Sequence, residues 1–90
     1  HLYGEIADVK RLRDTCDQHR WALVEDVCQM PAARFDGKPL GSLGHVAAFS
    51  FGGSKPLTAG CGGAVVTSDD RIAQRITTYA DRPSDCFAIS

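Results

Sequence analysis

Strong positive charge is missing from this chain: ten Lys and Arg stand against eleven Asp and Glu, a formal net charge of −1. A nucleic-acid binder would show a basic face, so that class is set aside. Long apolar runs are missing too, and nothing approaches the roughly 18 residues that a bilayer span requires. His1 to Arg11 carries charges where a secretory segment would be apolar, so no signal peptide is read there. Close C-x-x-C pairs are lacking: Cys16, Cys28, Cys61 and Cys86 are scattered, two of them within apolar or helical patterns. That spacing argues against a zinc site or a secreted disulfide framework, and for free thiols in a reducing cytoplasm. There is no internal repeat and no low-complexity tract, and 90 residues allow at most one small domain. The chain opens on HLYG without a methionine and stops on CFAIS without a closing element, so it is expected to be a piece of something larger.

What is present reads as α/β. Ile6, Val9, Leu12 and Cys16 recur at three- and four-residue spacing, which predicts an amphipathic helix from Ile6 to about His19 with Asp8 in its first turn. Trp21 to Val27 is a continuous apolar run ending in acids, the pattern of a strand buried on both faces. Pro31 to Leu43 reads as loop, with DGKP as a turn. His45 to Phe51 and Gly62 to Ser68 are two more strand candidates. Ser68 or Asp69 then caps a helix whose buried stripe is Ile72, Ile76 and Tyr79, and the tail with Pro83 reads as loop. Such an order belongs to the middle of an α/β sheet, where ligands gather beyond the carboxyl ends of strands.

Asp26 falls at one such end, Ser50 at the next, and Lys55 in the loop FGGSKPLTAGCGG just after. Taken singly, Asp26 caps a turn, Ser50 is a small polar edge residue and Lys55 is a solvated charge. Together they fit one chemistry. A lysine that bonds an aldehyde needs a recessed site and neighbours that lower its pKa. Pyridoxal phosphate also needs an acid at its ring nitrogen, a donor near its phenolic oxygen, and hydroxyls with glycine-exposed amides around its phosphate. Asp26, Gln29, and Ser50 with Gly52 and Gly53 supply those types in that order along the chain.

The stretches HLYGEIADVKRL, WALVEDVCQ and GKPLGSLGHVAAFSFGGSKPLTAGCGGAVVTSDD resemble the DegT/DnrJ/EryC1/StrS sugar aminotransferases over about residues 1 to 80. That family's usual pattern runs H-L-Y-G, E-D-x-A-Q, G-S-x-G-D, F-S-F-x-x-x-K-x-L and G-E-G-G-x-x-x-T. The resemblance implies an α/β fold of type I, the aspartate-aminotransferase fold. Residues 1–90 would then be part of the large cofactor-binding domain, truncated at both ends, with a mixed, mostly parallel sheet flanked by helices. It implies that Lys55 bonds the cofactor's aldehyde and moves a proton between substrate carbon and cofactor. Asp26 would pair with the ring nitrogen, Gln29 would contact the phenolic-oxygen side, and Ser50 would hold the phosphate. Gly60 to Gly63 would turn into a strand that runs antiparallel. The activity implied is transfer of an amino group, from glutamate or glutamine, to a nucleotide-linked keto-sugar by a cytoplasmic homodimer. The rest of such a chain would supply the ring-stacking aromatic and further phosphate contacts, and a second subunit would help close the site. The isolated segment is therefore expected to fold poorly and not to transaminate.

Three departures stand out: Cys61 in place of an acid, His45 in place of an aspartate, and CQMPAA in place of alanine-glutamine-alanine-histidine-glycine-alanine. They bear on substrate preference, and none is expected to touch the roles of Asp26, Ser50 or Lys55. The family's dehydratase branch carries histidine in place of the lysine, so Lys55 favours transamination; His19 and His45 read as helix-end and strand-edge residues. Two rival readings stand beside this one. A degenerate nucleotide-phosphate loop fails because Ser54 precedes Lys55 and Pro56 follows it, and Pro56 has no amide to donate. A non-catalytic or regulatory relative, or an inactive fragment of the same fold, is the other reading.

Overall fold

The computed structural model describes residues 1–80 and the backbone of residues 88 and 89. Helix α1 spans Val9–His19. It begins later than the periodicity of Ile6 suggests, because Asp8 is its N-cap: the Asp8 side chain accepts the Arg11 N–H at 3.1 Å. Of the expected stripe, Val9 is buried and Cys16 half-buried, while Leu12 is largely exposed. The helix ends on Arg20 in the left-handed conformation, whose N–H reaches back to the last turn.

Strand β1 is short, Val24–Asp26, and is followed by a two-stranded ribbon, β2 (Arg34–Phe35) and β3 (Lys38–Pro39). The ribbon corrects the expectation of loop from Pro31 to Leu43. Asp36 and Gly37 both adopt positive φ, the mirror-image turn that matches strand twist, so DGKP closes a hairpin. β4 (Val46–Ser50) and β5 (Gly63–Val66) follow, then α2 (Asp70–Ala80), capped by Asp69 through the Arg71 and Ile72 amides. In α2, Ile72 and Ile76 are half-buried and Tyr79 is exposed. The loop expected for the tail with Pro83 lies mostly outside the described residues; Ala88–Ile89, however, form strand β6.

The main sheet has the order β1-β4-β5-β6. β1 runs parallel to β4, β5 antiparallel to β4 and β6 parallel to β5, which gives the expected mixed sheet with an antiparallel strand after the glycine turn. Gly63 is obligatory where β5 begins: a Cβ there would lie 2.6 Å from the Phe49 carbonyl oxygen. The core is Val27, Leu40 and Ala47, ringed by Ile6, Met30, Ala33, Phe35 and Phe49. It forms where the β2–β3 ribbon folds back on the sheet.

The expectation that Trp21 to Val27 is buried on both faces is corrected. Val24 is 61% exposed and Trp21 59% exposed, whereas Glu25 and Val27 are buried. Among the described residues β1 is the outermost strand of the sheet, and successive side chains of a strand face opposite sides. Trp21 covers itself in part by stacking on His19, with ring centroids 4.5 Å apart.

Candidate cofactor-binding site

Two parallel neighbours place their carboxyl ends on one edge. Asp26 pairs with Ala48, and the Val27 N–H extends the ladder to the Ala48 carbonyl at 2.9 Å, so Ser50 lies just beyond Asp26 on the same side. Between β4 and β5 the chain makes a closed excursion. Its neck is the Phe51 N–H bound to the Gly62 carbonyl at 2.9 Å, with the Ala59 N–H and the Thr58 hydroxyl returning to the Phe51 carbonyl. Within it, the Lys55 N–H closes a tight turn on the Gly52 carbonyl at 3.0 Å, and Lys55 is half-buried. Ser50 Oγ accepts the Gly52 N–H at a long 3.5 Å.

Asp26 is the best-defined member. Its Oδ1 accepts the Cys28 N–H at 3.0 Å, folding the carboxylate over the turn that ends β1. Hydrogen bonds from the Cys28 thiol and amide hold the Asp26 carboxyl below its ordinary value, and the positive charge of Lys55 acts in the same direction. Gln29 is exposed on the following turn, at the rim of an open hollow of about 410 Å³ that Met30, Ala33, Pro56 and Leu57 also line. Pro56 and Leu57 follow Lys55 directly, so the Gln29 turn and the lysine loop are neighbours. All four residues singled out in the sequence therefore gather at one sheet edge.

Two residues were missed. Glu25, 4% exposed, accepts the amides of Gly41, Leu43 (2.8 Å) and Gly44, and its Oε2 lies 3.5 Å from His1 Nε2. His1 Nδ1 accepts the Ala7 N–H, which leaves Nε2 as the donor to Glu25. One carboxylate thus ties HLYG and GSLG to β1. The signal was two adjacent acids on one strand, of which one had to point inward. The second is Cys28, whose backbone N–H donates to Asp26 Oδ1 at 3.0 Å and whose Sγ lies 3.7 Å from the Ala48 carbonyl oxygen. His45 sits in a structural setting. Its Nδ1 accepts the Leu23 N–H at 2.8 Å, and its Nε2 lies 3.2 Å from Asp17.

The residues suit the cofactor that the resemblance implies. An acid kept in its charged form can face a protonated ring nitrogen, and a hydroxyl and a loop amine lie on the same edge. The glycine backbone is open to a phosphate: a Cβ on Gly52 would meet nothing closer than Ser50 Oγ at 3.7 Å.

Comparison with known proteins places the chain. Residues 1–85 match the DegT/DnrJ/EryC1/StrS aminotransferase family. The chain is 41% identical over 75 residues to GDP-perosamine synthase of Vibrio cholerae, covering 83% of this chain and 20% of that protein. It is 52% identical over 77 residues to the erythromycin biosynthesis sensory transduction protein EryC1 of Saccharopolyspora erythraea, covering 84% and 21%. Among solved structures, DesI in the presence of its TDP-sugar product superposes with a TM-score of 0.83 at 38% identity, covering 94% of this chain and 22% of that one. The chain spans about a fifth of the length of the curated relatives it matches.

Proposed function

We propose a function from one premise: this chain belongs to the DegT/DnrJ/EryC1/StrS aminotransferase family. Residues 1–90 are the central part of the large domain of a pyridoxal-phosphate-dependent aminotransferase. The complete protein moves an amino group, from glutamate or glutamine, onto a nucleotide-linked keto-sugar, and works as a cytoplasmic homodimer. The nucleotide-linked acceptor is supported by relatives whose names carry GDP- and TDP-sugars.

Pyridoxal phosphate, when bound, supplies an electron sink conjugated to the substrate carbon. The chain's own residues do the rest. Lys55 Nζ would bond the aldehyde carbon covalently and, once released, carry the proton to and from the substrate carbon. The Asp26 carboxylate would hold the ring nitrogen protonated. Gln29 would orient the ring from its phenolic-oxygen side, and Ser50 Oγ would bind the phosphate beside the Gly52 and Gly53 amides.

The observation that carries this reading is the placing of Lys55 and a charged Asp26 on one sheet edge, close enough for Lys55 to act on the carboxylate. Its test is borohydride trapping in the full-length protein: incubation with pyridoxal phosphate, reduction, digestion and location of the pyridoxyl mass. The expected result is one label per chain, on Lys55, absent from Lys55→Ala. Label scattered over surface lysines, or none, would favour the second reading, a non-catalytic relative. That reading is motivated by the sensory-transduction name of one relative.

A further inference from the structure

Resting on that reading, we propose that Tyr3 is a specificity residue for the acceptor: the HLYG turn holds its ring at the carboxyl edge of the sheet, where it packs on the sugar. Leu2 and Glu5 close a two-residue hairpin, the Leu2 N–H donating to the Glu5 carbonyl at 3.1 Å and the Glu5 N–H to the Leu2 carbonyl at 3.0 Å. Both feet of this hairpin stand at the end of β1. On one side, the His1 nitrogen lies 3.4 Å from the Asp26 carbonyl oxygen, and the His1 ring is buried against Glu25. On the other, Ile6 packs on the Val27, Leu40 and Ala47 core, and the Ala7 N–H reaches His1 Nδ1 at 3.2 Å. Two residues of chain span at most about 7 Å, so the tip of the turn stays within reach of a ligand beside Asp26.

At that tip, residue type and backbone disagree. Tyr3 and Gly4 have φ of 55° and 78°, the mirror-image turn that asparagine or glycine enters readily. A bulky residue at positive φ is an outlier that asks for a reason. Packing among the described residues does not supply it, since Tyr3 is 92% exposed. A ring kept in a strained turn, tied to β1 beside Asp26 and left open, points to a ligand. The cofactor already has its acid, hydroxyl and amine in Asp26, Ser50 and Lys55. A phenol offers what a hexose lacks there, an apolar face for ring C–H groups and a hydroxyl for its rim. The sugar carbon that receives the amine has to come to the cofactor, so the sugar rather than the nucleotide is the part beside Tyr3.

The full-length protein, Tyr3→Phe and Tyr3→Gly are labelled with pyridoxal phosphate and reduced, which fixes Lys55 and stops turnover. Binding of a GDP-linked and a TDP-linked aminohexose, and of GDP and TDP alone, is measured by equilibrium dialysis, and the unlabelled proteins are melted in parallel. Tyr3→Gly is expected to weaken aminohexose binding about 3- to 10-fold, the share of one covered ring face, and to leave GDP and TDP binding unchanged. Tyr3→Phe keeps the ring and is expected to retain most of the affinity. Tyr3→Gly is also expected to melt at or above the parent temperature, because glycine enters this turn freely. Equal affinity of Tyr3→Gly and the parent for the aminohexoses overturns the proposal. So does an equal loss on the bare nucleotides, or a Tyr3→Gly protein that melts lower, which would make the ring structural. A parent that carries the Lys55 label yet binds neither aminohexose overturns it too. A parent with no label on Lys55 sinks the functional reading instead, and dialysis and melting of the unlabelled proteins then decide Tyr3 by themselves.

Discussion

Glu25 is a buried carboxylate with its acceptors filled: three backbone amides of the Gly41–Gly44 turn and one imidazole. Glu25→Gln keeps the shape but turns an acceptor into an N–H facing other N–H groups. Breaking such a buried arrangement costs about 2–4 kcal/mol, to be read from urea denaturation midpoints of the full-length protein. A change below about 0.5 kcal/mol would show that the clamp is relaxed in solution. This residue was the least legible part of the sequence. Asp26, Ser50 and Lys55 stand out because they close or follow apolar segments, where a polar group asks for a reason. Glu25 is the neighbour of Asp26, and a run read as apolar up to two acids hides which of the two points inward. Cys28 was passed over for a similar reason, since a cysteine within an apolar pattern reads as a small hydrophobe until its contacts are seen.

At the scale of elements, the strands and helices follow from hydrophobic pattern, and their ends follow from caps. Val46–Ser50 and Gly63–Val66 fall inside the expected segments, because apolar and β-branched residues bounded by glycine leave little choice. The start of α1 was displaced by Asp8, whose side chain prefers to bind the Arg11 amide from outside the helix. Its far end rests on Arg20 at a φ of 56°, a conformation that glycine adopts without strain. Arg20→Gly should therefore stabilise the protein by about 0.5–1 kcal/mol, net of the extra freedom glycine brings to the unfolded chain. Parallel thermal melts of the two full-length proteins would check it, and a lower Tm for the variant would mean that the Arg20 side chain has a role of its own. The β2–β3 ribbon was hidden because its strands are two residues each, too short for a period to show.

Taken whole, the described residues bury only four apolar side chains, Val9, Val27, Leu40 and Ala47, and leave Tyr3, Trp21, Val24 and Leu57 exposed. That is little with which to offset the entropy of ordering so long a chain. Residues 1–90 expressed alone should bind a hydrophobic dye and show no cooperative thermal transition. A sharp melt from a monomer in sedimentation would refute this. The same shortfall explains why sheet order was harder to foresee than sheet class: alternation along a strand names its faces, whereas neighbours are chosen by elements that pack across it.

The two ladders that converge on β4 also differ in when they can form. Ser50 meets Gly63 across thirteen residues of chain, while Val24 meets Val46 across twenty-two. Loop-closure entropy alone favours the shorter contact by about 0.5 kcal/mol, and antiparallel pairing needs only a local reversal of direction. The β4–β5 pair, which carries Ser50 and bounds the Lys55 loop, is therefore expected to form ahead of the β1–β4 pair, and pulsed amide exchange during refolding of the full-length protein would check it. The ladder that seats Ser50 is thus favoured over the one that brings in Asp26 by about twofold in closure alone.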